Sequence, residues 1–216
     1  MERRQPWLYA VNEKFLEEFN QAEAATILEN LTIKVSLSML MSPDEPEDFL
    51  QHYFFTVNYI DYDEDGNFST NEVAWAEVVV MDKDASCELD LWTMCDAESG
   101  DMAQAYIAVY DSDEYLLDPF EDYLDSPVCY LAEFIVEEKF KDVRDSILNW
   151  VIKYMLKYSP IIFTLPVPTE KNGHSITRDW DQEKMARLRM FFTNQGFLPL
   201  RDTDYMYHLH DYSEDA

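Results

Sequence analysis

Asp61-Tyr62-Asp63-Glu64-Asp65-Gly66-Asn67-Phe68-Ser69-Thr70-Asn71-Glu72 is the stretch of this chain whose residue types and spacing best suit metal chemistry. It fits an Asp-x-Asp-x-Asp-Gly-x5-Glu pattern that wraps a hard cation in oxygen, so calcium is the ion to expect. Asp61, Asp63 and Asp65 would supply side-chain oxygens, Asn67 a backbone carbonyl, Ser69 a water-mediated contact and Glu72 a bidentate carboxylate. Gly66 would make the sharp turn. A second reading competes: Thr56-Val57-Asn58-Tyr59-Ile60 and Val78-Val79-Val80 favour strands, which makes Asp65-Gly66 a hairpin turn. No second loop of this kind is present, since Asp82-Lys83-Asp84 lacks the glycine and the closing glutamate.

Other reactive side chains are sparse. His52, His174, His208 and His210 are scattered; the last two share one face of an expected strand, too few donors for a metal. Cys87, Cys95 and Cys129 are odd in number and lack Cys-x-x-Cys spacing, which argues against a disulfide framework or a zinc cluster and points to a reducing cytoplasm. Met-Glu-Arg-Arg-Gln-Pro-Trp lacks the apolar run of a signal peptide, and no stretch approaches the roughly 18–20 apolar residues of a membrane span, so a soluble, intracellular protein is expected. No Ser/His/Asp or Cys/His constellation and no Gly-rich nucleotide loop appears. Carboxylates are too numerous for any pair to stand out as an acid/base dyad.

Their distribution is the strongest signal. Residues 44–138 hold 27 Asp and Glu against one basic residue, Lys83. Residues 1–127 carry 30 acids and 5 Lys/Arg, whereas residues 128–216 carry 14 and 11. Such a field repels nucleic acid, phosphate-rich ligands and anionic membranes, and it attracts cationic partners. Disorder does not follow, because the chain is 47% hydrophobic and 15% aromatic with only 4 Gly. A packed core beneath a carboxylate shell is expected.

Periodicity supplies the elements that must position these groups. A strand is expected over 7–11, a helix from the Asn12 cap and again over 22–31, and an ambiguous apolar stretch over 33–41. Strands over 52–62 and 73–81 make a long hairpin. Further strands are expected over 87–94 and 103–110, then an acidic helix or loop over 114–125. The last third reads as strand 129–136, helix 143–158, strand 161–167, helix 181–194 and strand 205–210. The fold class is α/β (α+β): a single domain, 1–216, with a mixed central sheet flanked by helices and an enlarged acidic half over 1–127.

Arg187-Leu188-Arg189-Met190-Phe191-Phe192-Thr193-Asn194-Gln195-Gly196-Phe197, followed by Tyr205-Met206-Tyr207-His208-Leu209, resembles a phrase of the GNAT acetyltransferase superfamily. The resemblance covers about 85 residues, 128–216, and implies that residues 129–158 hold the family's acyl-CoA strand and pyrophosphate-binding helix. The family's Arg/Gln-x-x-Gly-x-Gly/Ala loop falls on Lys141-Asp142-Val143-Arg144-Asp145-Ser146. Arg144 and Ser146 replace the small residues that let backbone approach phosphate, and two Asp are added. The position of the usual Tyr general acid is Phe192. On this resemblance Lys141, Arg144 and Ser146 are the residues that would face acetyl-CoA, and Glu133 would be a base acting on a cationic amine.

In composition the chain also resembles the DNA mimics of phages and mobile elements, which block restriction enzymes, nucleases, CRISPR effectors or polymerases. Duplex DNA presents one negative charge per roughly 1.7 Å of axis, a density that a folded body studded with carboxylates can match. The leading expectation is therefore a non-catalytic inhibitor of a basic or nucleic-acid-binding host protein, acting in the host cytoplasm without cofactor, nucleic acid or membrane. Its binding residues would be Asp44, Glu45, Glu47, Asp48, Asp63, Glu64, Asp65, Asp82, Asp84, Asp111, Asp113, Glu114, Glu121, Asp122 and Asp125. An acyl-CoA-dependent N-acetyltransferase and a calcium-binding regulator are the alternatives, and a homodimer is left open.

Overall fold

Alternating burial builds the first half of the sheet. The computed structural model describes residues 27–38, 45–63, 65–85, 89–123, 126–172 and 175–210. Outside them lie the strand expected over 7–11, the helix from Asn12, and Asp44, Glu64, Cys87, Asp125 and His174. Three antiparallel strands come first: β1 (Leu31–Ser38), β2 (Gln51–Tyr62) and β3 (Phe68–Met81). In β2 the side chains of Tyr53, Phe55 and Val57 are buried on one face, which leaves His52, Phe54 and Thr56 to the other. The expected hairpin is present, and Gly66 takes the positive φ of 81° that its turn requires.

Two expectations fail in the next segment. The stretches read as strands over 87–94 and 103–110 contribute instead to helices α1 (Leu91–Glu98) and α2 (Gly100–Val109). Local chemistry explains the helices. Asp90 caps α1 by accepting from the Thr93 N–H, Ser99 caps α2 by accepting from Met102, and Ala103, Ala105 and Ala108 favour the helical state. Burial explains the misreading. Met102, Ala103, Ala105, Tyr106, Ala108 and Val109 are all buried, so α2 lacks a wide polar face and its apolar run imitates a strand.

β4 (Val128–Val136) returns beside β3, antiparallel, with Met81 opposite Val128. Residues 82–127 are thus one insertion between adjacent strands. Farther along, Val78 pairs with Leu131 but Glu77 with Glu133, so Ala132 is the extra residue of a bulge. The bulge turns Glu133 onto the same face as Glu77.

Helix α3 (Arg144–Met155) then crosses to β5 (Ile161–Thr164), which runs parallel to β4. A small hairpin follows, β6 (Thr169–Asn172) and β7 (Ser175–Arg178), and was not expected from the sequence. Helix α4 (Gln182–Asn194), β8 (Leu198–Pro199) and β9 (Met206–Leu209) complete the described chain. The result is a mixed α/β fold whose seven-stranded, mostly antiparallel sheet has the order β1-β2-β3-β4-β5-β9-β8.

Each face of the sheet carries a dry layer. Val79, Met81, Val128, Tyr130, Ile161 and Phe163 pack against Leu91, Met94 and Val109 of α1 and α2, and against Leu116 and Phe120 beyond them. On the opposite face Phe55, Val78, Val80, Cys129, Leu131 and Ile162 meet Leu148, Val151 and Met155 of α3 and Phe192 of α4. Among the described residues no helix is long and apolar enough to cross a membrane.

Candidate functional site

The described residues of the insertion 82–127 form the layer on the first face, and they contain 12 Asp and Glu against Lys83 alone. Residues 137–160 and 179–197, which build the opposite layer, hold 7 acids and 8 Lys or Arg. Anionic charge is therefore segregated to one side of the sheet. Asp84, Asp90, Asp96, Glu98, Asp101, Asp113, Asp118, Glu121 and Asp122 are exposed on that side.

The acidic clusters share a construction. In each of three Asp-x-Asp turns the first carboxylate accepts the N–H of the second aspartate: Asp63 from Asp65 at 3.0 Å, Asp82 from Asp84 at 3.0 Å, Asp111 from Asp113 at 2.9 Å. The first Asp folds the turn and the second stands exposed. Asp63 goes further. The Asn67 side chain and backbone N–H both donate to it and hold its carboxyl below the usual range.

Position divides the expected binding set. Asp63 and Asp65 sit at the tip of the β2–β3 hairpin, whereas Asp82 and Asp84 follow the far end of β3, about 45 Å away at the rise of a strand. Asp82, Asp111 and Glu114 gather around Tyr106 and Tyr110. Glu121 and Asp122 lie in a 3-10 turn beyond them, Glu47 and Asp48 in another over Pro46–Phe49, and Glu45 is exposed just before it.

Between the acidic layer and the sheet runs a row of ionisable side chains that the sequence did not assemble. His52 on β2 bonds Glu77 on β3 at 2.8 Å, and its other nitrogen lies 3.8 Å from Glu98 at the end of α1. Glu77 stands opposite Glu133 on β4. Arg178 on β7 donates to Glu133 at 3.2 Å and reaches Asp101 in the first turn of α2. Burial lowers the pKa of His52, but the bond to Glu77 and the charge of Glu98 outweigh it, and the net shift is upward. Burial pushes the Glu133 carboxyl up, and Arg178 offsets only part of that. Glu133 Oε2 and the Tyr130 hydroxyl are buried without a hydrogen-bond partner among the described residues. Polar residues at inward strand positions were the available signal for His52 and Glu77; nothing local marks Arg178.

The stretch matched to a pyrophosphate loop has a different structure. Glu138–Val143 forms a 3-10 turn running directly into α3, and the Arg144 N–H donates to the Lys141 carbonyl. Lys141 pairs with Glu138 at 2.8 Å and Lys139 with Glu137 at 3.4 Å. The Arg144 guanidinium lies 3.6 Å over the ring of Phe191, which itself stacks on Phe134 at 6.2 Å and 3°. Ser146 is half-buried on the first turn of α3. With its backbone donor used, its cations engaged and Asp142 and Asp145 exposed beside it, this stretch does not fit a phosphate cradle.

Asp61, Asp63, Asp65, Asn67, Ser69 and Glu72 flank or form a hairpin turn between two strands, and not a loop between two helices. No group of three His, Cys, Asp or Glu suited to a metal occurs among the described residues. His208 packs on Phe197 with its pKa lowered by burial and then by His210. Cys95 and Cys129 are buried free thiols, both pushed up to about 12 by burial, which leaves them unreactive. Comparison of this chain with protein-family models, with curated proteins and with solved structures found no match.

Proposed function

We propose that this protein is a non-catalytic acidic binding protein whose α1–α2 side imitates the charge of nucleic acid and so inhibits a nucleic-acid-binding or defence protein of a host. Inhibitors of this kind are carried by phages and mobile elements. The carrying observation is the segregation of charge among the described residues: 12 acids to one Lys on the layer built by the insertion, near balance on the other. A solvated surface that served only solubility would interleave both signs on both layers. A protein built to grip phosphates would meet an array of exposed carboxylates on turns folded by their neighbours' hydrogen bonds to backbone N–H groups, and it would release DNA in exchange. The scaffold is read as a GNAT-like domain whose cofactor route has been lost. The parallel β4–β5 pair with α3 between supports the likeness. The Arg144–Phe191–Phe134 stack, bridging α3, α4 and β4, supports the loss.

Immobilised protein tests this reading in a bacterial lysate with and without competing duplex DNA. Retained nucleic-acid-binding proteins should be displaced by the DNA and by rising salt. Glu121→Lys with Asp122→Lys should weaken capture, and Lys153→Glu on the opposite layer should not. Capture indifferent to DNA, or equally sensitive on both layers, would sink the proposal.

One observation favours a second reading, an N-acetyltransferase acting on a cationic amine. Glu133, buried where β4 and β5 part and with its pKa raised, has the character of a general base. A thermal shift with acetyl-CoA separates the two readings, because a bound cofactor raises the melting temperature and the stack described above should prevent binding.

A further inference from the structure

A cleft of about 740 Å³ opens in the acidic layer where α1, α2 and the loop after α2 meet. Its walls are aromatic. Trp92 meets Tyr106 edge-on at 5.4 Å and Tyr106 stacks on Tyr110 at 5.1 Å; the two tyrosines are buried and form the floor, while Trp92 keeps 38% of its surface in solvent and is the open ring. Its rim is anionic. Asp90 accepts from the Thr93 N–H at 2.7 Å, Glu114 from Leu91 at 2.5 Å, and Asp111 from both Asp113 and Tyr115 at 2.9 Å. Each carboxylate is thus held in place by backbone and not by a flexible cation. Burial raises the pKa of Tyr106, and the charge of Glu114 raises it further.

Apolar walls alone would accept many ligands, but the combination is selective. The carboxylates exclude anions, and the negative face of the Trp92 ring attracts a cation that is willing to shed water. A guanidinium meets that requirement better than an ammonium, because it is planar, weakly hydrated, stacks on rings and bonds carboxylates through a fork. The cleft is also far larger than a metal ion needs. Resting on the reading above, we propose that it receives an arginine side chain of the partner protein, anchoring that partner at one point within the broader acidic face.

The probe is N-acetyl-arginine amide, followed by NMR through the Trp92 indole N–H and the Leu91 amide. A saturable shift is expected, weaker by about fivefold with the lysine analogue and absent with the uncharged citrulline analogue. Trp92→Ala and Asp111→Asn should each weaken binding about fivefold, read at Leu91; Trp92→Leu replaces the first if it fails to fold. An equal response to citrulline, or unchanged arginine affinity in either variant, overturns the assignment. The two proposals fail separately. Arginine binding with no DNA-displaceable partner would sink the mimic and spare the cleft, and DNA-displaceable capture with no arginine response would do the reverse.

Discussion

The two layers that sandwich the sheet have similar undersides and opposite surfaces. Beneath α1 and α2 lie Met94, Val109, Phe120 and Phe163; beneath α3 and α4 lie Leu148, Met155, Phe192 and Ile162. Above, the described residues of one layer include 12 acids and a lysine, those of the other 7 acids and 8 basic residues. The second layer neutralises itself, through Glu138–Lys141, Asp179–Lys184 and Glu183–Arg187. The acidic layer draws cations from the C-terminal third. Arg178 reaches Asp101 in the first turn of α2, and Arg201 donates to the Ala108 carbonyl near its end. Burial therefore sets the architecture, while surface charge is free to follow another requirement.

That division can be tested, beginning with the largest effect. Met94→Ala and Met155→Ala remove matched, fully buried side chains from opposite layers. Each should cost about 2–5 kcal/mol in urea denaturation, by similar amounts. A much smaller loss at Met94 would show that the acidic layer is loosely seated. Next, Arg178→Met removes the cation that ties the acidic layer to the sheet and leaves Glu133 buried beside Glu77, at a cost of about 3 kcal/mol. Adding Glu133→Gln should recover part of it, and a neutral Arg178→Met would mean the contact holds nothing.

Smaller effects depend on solution conditions. His52 binds its proton more tightly folded than unfolded, so its stabilisation is full below the unfolded value of 6.5 and is lost as pH rises through the folded value. The stability advantage of the native chain over His52→Gln should therefore shrink between about pH 6 and pH 8. An advantage that grew with pH would reverse the assignment. Last, Asp96→Asn on α1 should raise the melting temperature in low salt and do nothing in high salt, since it relieves repulsion. Glu183→Gln on α4 should lower it slightly by removing a partner of Arg187. Equal responses would erase the contrast between layers.

Legibility followed the same divide. β2, β3, β4, α3, α4 and β9 each have one dry and one wet face or flanking turn residues, and their periods were plain in the sequence. α1 and α2 read as strands because their apolar residues crowd into short runs, with six of the ten residues of α2 buried; the signals that mark them as helices are the caps Asp90 and Ser99. The β6–β7 hairpin lies between prolines and polar residues and offered no pattern. Exposed carboxylates could be named one by one, but their distribution over the molecule could not. The row from His52 through Glu77 and Glu133 to Arg178 depends on strand register and on one bulge, properties that no local window contains.

Met81 and Val128 face each other across the ladder, so residues 82–127 leave and rejoin the sheet at a single point. Closing a long excursion costs only slightly more entropy than closing a short one. Strand order is therefore indifferent to what the excursion contains, provided it returns with an oily base to cover Val79, Tyr130 and Phe163. The outward coat of this molecule is in that sense exchangeable: lineage or design could repaint it, residue by residue or wholesale, without rewiring the platform underneath.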